Sequence, residues 1–180
     1  QTLRKEARKG IAHIHNGWYY LGQVGYSHNF AEKLSSKILK RLNGIINPDG
    51  ETPGEFRKFD VTLNIPSYTP PSWERVPEKI EQLFSNVQEM YQVNPLESAI
   101  LAHLGIASIQ PFSDANKRCA RLIQDSILND ENLPPAIIPA GEGKFYFDLL
   151  KRTLPTIGEN KDGQKQFYDP AQAVKDCKNS

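Results

Sequence analysis

The chain has 180 residues, enough for one domain with a real core. Lys and Arg number 22 against 21 Asp and Glu, so the net charge of +1 offers no bulk attraction for nucleic acid. No apolar run reaches membrane-spanning length and no signal peptide is visible, so no membrane partner is expected. Two cysteines, Cys119 and Cys177, form no disulfide framework or metal spacing, which fits a reducing, cytoplasmic setting.

In chain order, residues 2–21 predict a basic-headed helix with Ile11, Ile14, Trp18 and Leu21 as its buried stripe. His13 and His15 point to different faces of such a helix and are not read as metal ligands. Asn29 and Glu32 form a capping pair for a second helix bearing Leu34, Ile38 and Leu42, which Gly44 would end. The turn-rich run 47–54 closes that connection. Residues 55–73 change period. Phe59, Val61, Leu63 and Ile65 alternate with Asp60, Thr62 and Asn64, which predicts a strand, and the turn at 68–71 would make it a hairpin.

Helical spacing then returns. Pro77 opens a helix with Ile80, Leu83, Phe84, Val87 and Met90 on one face. Asn94, Pro95 and Glu97 supply cap, first-turn proline and capping partner for the next, whose Ala99, Ile100, Ala102, His103 and Ile106 suggest a central helix. His103 reads chiefly as a core histidine, with catalysis as a minor alternative.

Residues 110–121, QPFSDANKRCAR, concentrate the chemistry. Asp114, Asn116, Lys117, Arg118 and Arg121 fall within eight consecutive positions. Pro111 interrupts the preceding helix, and Ser113 or Asp114 can cap the following one, expected over 115–129 with Leu122, Ile123, Ser126 and Ile127 inward. Cations at a helix start oppose the macrodipole, so helix stability does not explain them; a bound polyanion does. A carboxylate beside a phosphate site suggests Mg²⁺. After Pro134-Pro135 and an extended link, residues 143–154 read as a helix bearing Tyr146, Leu149 and Leu150, and a short terminal helix starts at Asp169-Pro170.

This stretch resembles the signature of the Fic (Fic/Doc, Fido) family, HxFx(D/E)(A/G)N(G/K)RxxR. Phe112, Asp114, Ala115, Asn116, Lys117, Arg118 and Arg121 fit it, and Gln110 stands where the family has its histidine. Gly54-Glu55-Phe56-Arg57 resembles the G-x-[FY]-R element that precedes the family's flap, here Asp60, Val61, Thr62, Leu63 and Asn64. The resemblance spans about 29–154 of a single domain, with an N-terminal helix (1–28) and a C-terminal extension (155–180). It implies an all-α fold of six to eight helices with one small β-hairpin flap.

It also implies a reaction: transfer of AMP from ATP to a Ser, Thr or Tyr hydroxyl of a target protein. Asp114 would hold Mg²⁺, Asn116 and the backbone at Ala115 would meet the α-phosphate, and Lys117, Arg118 and Arg121 the remaining phosphates. Tyr146 would lie near the base, and the flap would align the target segment by strand addition. Gln110, at the catalytic position, has no titratable nitrogen and cannot serve as general base. Three readings stay open: a protein adenylyltransferase with impaired or assisted catalysis, an inactive module binding nucleotide, phosphate or a peptide strand, and a Doc-like phosphotransferase, since DANKR is the Doc spelling. The family implies an inhibitory partner, either antitoxin-like or an upstream segment. Thr2 and Glu6 match the inhibitory pattern (S/T)xxxE(G/N) only in part, Ala7 breaking it, and are read as a chance match.

Overall fold

The computed structural model describes residues 2–157 except 27, 64, 66 and 67. Flap residue Asn64, Cys177 and the terminal helix expected at Asp169 therefore lie outside the described residues. Among the described residues seven α-helices carry the fold: α1 Thr2–Val24, α2 Phe30–Lys33, α3 Ser36–Ile46, α4 Val76–Tyr91, α5 Pro95–Ile109, α6 Asn116–Asp130 and α7 Gly143–Ile157. None among them is long and apolar enough to cross a membrane.

The centre is α5, packed between α4 and α6. Its start follows the expected local chemistry. Asn94 accepts the N–H of Glu97 at 3.2 Å and donates to the Glu97 carboxylate at 3.3 Å, with Pro95 in the first turn. Small residues on several sides let its neighbours approach: a Cβ on Gly105 would lie 2.3 Å from Leu83 of α4. The stripe on α4 is buried as its spacing predicts, Ile80, Val87 and Met90 completely. Leu122, Ile123, Ser126 and Ile127 of α6 all face inward. The apolar residues among these join Phe30, Leu39, Leu42 and Ile46 in one core, while Tyr146, Leu150 and Leu154 of α7 form a smaller one with Tyr68.

Four local expectations are corrected. In α1 the buried stripe is centred on Gly17 and Leu21, whereas Ile11 is 69% exposed and Trp18 38%. The helix turns that face inward because Gly17 fits against α3: a Cβ there would sit 2.4 Å from Ile46. The helix expected from Asn29 is two helices, broken where Leu34 and Ser35 become extended; Asn29 itself makes no side-chain cap, and Asp130 accepts the Phe30 N–H at 2.8 Å instead. Gly44 lies inside α3 rather than ending it, and the helix runs on to Ile46, with Asn47 as its C-terminal cap. Neither Ser113 nor Asp114 caps α6; the cap position is Ala115, which provides no side-chain bond.

The expected hairpin over 56–73 is not a ladder: the described residues there form an extended loop without strand. The period-two pattern survives only in part as exposure: Val61, Leu63 and Ile65 are half-buried and Asp60 and Thr62 exposed, but Phe59 is exposed too. What is missing is a partner strand, and Pro70 and Pro71 on the returning limb carry no N–H to build one. Side chains hold the loop instead. Asp60 accepts the Trp73 N–H at 2.9 Å, and Tyr68 donates its hydroxyl to the Ser108 carbonyl at 2.8 Å.

Candidate functional site

The site is the short loop 110–115 between α5 and α6, roofed by the 58–72 loop and flanked by α7. Both ends of it are left-handed, at Gln110 (φ 50°) and Ala115 (φ 67°). Non-glycine residues in that region carry strain of roughly 1–3 kcal/mol each, which the surroundings must over-determine. Here they do. The Asn116 carboxamide accepts the Phe112 N–H at 2.8 Å and donates to the Phe112 carbonyl at 2.8 Å and to Gln110 Oε1 at 3.1 Å. Buried Asn43 of α3 donates to the Asp114 carbonyl at 3.1 Å and accepts the Gly54 N–H at 3.0 Å.

Arg57 fastens the roof. Its side chain is fully buried, and its guanidinium donates to four carbonyls: Gln110 (2.8 Å), Phe59 (2.8 Å), Pro71 (2.5 Å) and Ile109 (3.4 Å). Its backbone N–H donates to Pro111 at 2.9 Å. One fork thus ties both limbs of the loop to the C-terminal end of α5, whose last carbonyls have no helical partner. Burial lowers the Arg57 pKa, and Asp60, 3.7 Å away, opposes that. The sequence marks Arg57 only as a landmark; neither its role nor that of Asn43 is legible there. A polar residue on the apolar face of α3, and an arginine beside a period-two run, are the signals that could have found them.

The expected site residues fall into two groups. Asp114 and Arg118 pair at 3.0 Å on the side facing α3, where Arg118 also reaches the Ile46 carbonyl (3.4 Å) and the Asn47 side chain (3.5 Å). Lys117 and Arg121 face α7. The Lys117 ammonium lies 4.2 Å from the centre of the Phe147 ring, and the Arg121 guanidinium 4.8 Å from that of Tyr146. Burial, then Arg121, lowers the Lys117 pKa, while Asp114 raises it. Arg121 keeps one buried donor, Nε, with no protein acceptor. Between the groups, Gln110 donates to the Ala107 carbonyl at 2.7 Å and accepts from Asn116, so both ends of its amide are engaged.

Beside Gln110 lies a cavity of about 330 Å³, walled by Leu63 and Ile65 of the roof, by Lys117 of α6, and by Phe147 and Leu150 of α7. Its lining is chiefly apolar with a few converging polar groups, the usual character of a small-molecule pocket. Of the residues read as the flap, Val61 and Leu63 are half-buried and Asp60 and Thr62 exposed, and Leu63 alone of these four lines the cavity. No group of three or more His, Cys, Asp and Glu side chains gathers among the described residues. Asp114 is exposed, and one of its oxygens is shared with Arg118; a single carboxylate is the kind of protein ligand that Mg²⁺ takes alongside phosphate oxygens.

A family model described as Fic/DOC matches residues 33–128, more than half of the chain. The protein adenylyltransferase Fic of Culex quinquefasciatus is 30% identical over 122 residues, covering 64% of this chain and 23% of that protein. The protein adenylyltransferase fic-1 of Caenorhabditis elegans is 30% identical over 106 residues, 58% of this chain and 20% of that one. This chain therefore spans less than a quarter of the length of these curated relatives. Among solved structures, a Fic-domain-containing signaling protein from Bacteroides thetaiotaomicron aligns with a TM-score of 0.73 at 22% identity, over 83% of this chain and 58% of that one. IbpAFic2, solved covalently tethered to Cdc42, aligns at 0.61 and 18% identity, over 99% and 56% of the two chains. These structural likenesses speak for the helical fold.

Proposed function

The chain belongs to the Fic/DOC family, and on that footing we propose that it is a nucleotide-binding Fic domain of the protein adenylyltransferase type whose transfer step lacks a general base. ATP would place its phosphates on the 110–121 segment and its base in the 330 Å³ cavity beside Phe147, with Tyr146 packed next to it on α7 in the smaller core. Arg118, Arg121 and Lys117 would neutralise phosphate charge, with the backbone at Ala115 beside them. Mg²⁺ carried in by the nucleotide would share its charge with the phosphates at Asp114. The 58–72 loop, with its backbone unladdered around Asp60–Leu63, would align the target segment by strand addition.

The reaction would join a target hydroxyl oxygen to the α-phosphorus and break the bond to pyrophosphate, which leaves. The hydroxyl proton needs an acceptor. Gln110 is the observation that carries this reading: it occupies the end of α5 at the cavity, and it can orient a hydroxyl but not take its proton. Losing such assistance typically slows transfer by about 10² to 10⁴.

One observation favours a second reading, a binding module without catalysis: the amides of Gln110 and Asn116 satisfy each other and the loop. Incubation with α-labelled and γ-labelled ATP and candidate protein targets separates the two. Slow incorporation of the α-label supports transfer, binding with no incorporation supports the module, and γ-label alone refutes both.

A further inference from the structure

We propose that His103 is a positioning residue: through the hydroxyl of Tyr146 it holds Arg121 where that guanidinium can meet an anion in the site. The functional half of this rests on the nucleotide site proposed above. The positional half rests on the geometry of one side-chain ring that crosses three helices.

His103 lies on α5, about two turns before Gln110, and is 5% exposed. Its Nδ1 is 2.5 Å from Gln124 Oε1 of α6, and its Nε2 is 2.8 Å from the Tyr146 hydroxyl of α7. A carboxamide oxygen only accepts, so Nδ1 carries the hydrogen. In neutral imidazole the other nitrogen then only accepts, so Tyr146 donates its hydroxyl to Nε2. This fixes the phenol in both position and rotation. Arg121 stacks on that same ring, one turn from Gln124 on α6. Gln124, His103, Tyr146 and Arg121 thereby close a loop that begins and ends on one helix.

The arrangement gives more than packing. A buried Leu would fill the space without the cost of holding an imidazole neutral away from water. What the histidine adds is direction: it sets the ring that is the platform for Arg121. That platform matters because the Arg121 Nε–H is buried with no protein acceptor. A held guanidinium with a spare buried donor gains most from an incoming oxyanion. The charged and titratable groups facing His103 are Arg121 of α6 and Tyr146 of α7, with Gln124 as its neutral partner. Burial favours the neutral imidazole most, and Arg121 adds to that, while the hydrogen bond to Gln124 opposes them.

The experiment uses the full chain labelled with ¹⁵N. In the wild type, the His103 side-chain resonances should show a protonated Nδ1 and a bare Nε2, and the Arg121 Nε–H should give a sharp, displaced signal. His103→Phe and Tyr146→Phe should each move that signal toward the value of a free arginine, and the double variant no further. In calorimetry with ATP, each single variant should weaken binding about fivefold to tenfold, and the double variant no more than either. His103→Gln keeps an acceptor for the Tyr146 hydroxyl and a donor for Gln124, so it should bind within about twofold of wild type. It also serves if the Phe variant does not fold.

An Arg121 signal indifferent to His103, additive losses in the double variant, or a bare Nδ1 each overturns the proposal. Wild type that binds no ATP, while the Arg121 signal still follows His103, overturns the nucleotide reading and upholds the positioning.

Discussion

Arg57→Met removes one guanidinium and keeps the apolar stem. Four carbonyls lose their donor, and the shortest three bonds, at 2.5, 2.8 and 2.8 Å, come from a charged group. Bonds of that kind are worth about 1.5–3 kcal/mol each, but they share one side chain and are not additive. Water will reach the Phe59 carbonyl, whose residue is 47% exposed. The carbonyls of Ile109 and Gln110 end α5 under the roof and have fewer alternatives. Together these put the loss at about 4 kcal/mol, within the range for breaking a buried charged network. For a chain of this size that lowers the melting temperature by on the order of 10 °C. Arg57→Lys, with one ammonium reaching one or two of the carbonyls, should lose about half as much. Urea unfolding followed by circular dichroism measures the stability, and limited proteolysis between residues 58 and 72 measures release of the roof. A Met variant within about 1 kcal/mol of wild type, with its roof equally resistant, would refute the claim that Arg57 holds the loop.

Gln110→His should raise α-label transfer by about 10² to 10⁴, following a titration near pH 6–7; no gain with nucleotide binding intact means the missing base is not the limiting defect. Arg118→Ala should weaken ATP binding more than about tenfold in calorimetry, although it also frees Asp114; equal affinity removes Arg118 from the site. Gly54→Ala should cost about 2–3 kcal/mol in chemical unfolding, because the position has φ 74° and a Cβ would lie 2.9 Å from the Lys40 carbonyl oxygen. His103 has its pKa lowered by burial from 6.5 to about 4. Below 6.5 the unfolded chain therefore binds a proton that the folded one refuses, so this group's contribution to stability is full above pH 6.5 and falls as pH drops toward 4. The loss amounts to about 3 kcal/mol, and His103→Gln should flatten that part of the stability profile between pH 4 and 6.5.

The helices were legible because their causes are local. The stripe on α4 recurs every three to four residues and is buried as read, and the Asn94–Glu97 cap closes within one turn. The 110–121 motif was legible for the same reason, being one unbroken string. Tertiary structure decided what depends on distant partners. The period-two run 59–65 reads as a strand, but a strand is completed by another strand, and here carbonyls found Arg57 instead. The face that α1 buries was set by how closely α3 approaches Gly17, which spacing alone does not encode. In the site, the string placed Asp114, Lys117, Arg118 and Arg121 side by side, and the fold split them between α3 and α7. The acceptors of the Arg57 guanidinium are up to 53 residues away, and Tyr146 is 43 from His103. Hydrogen bonds of such reach leave no periodic trace, because only the packed helices bring their two ends together.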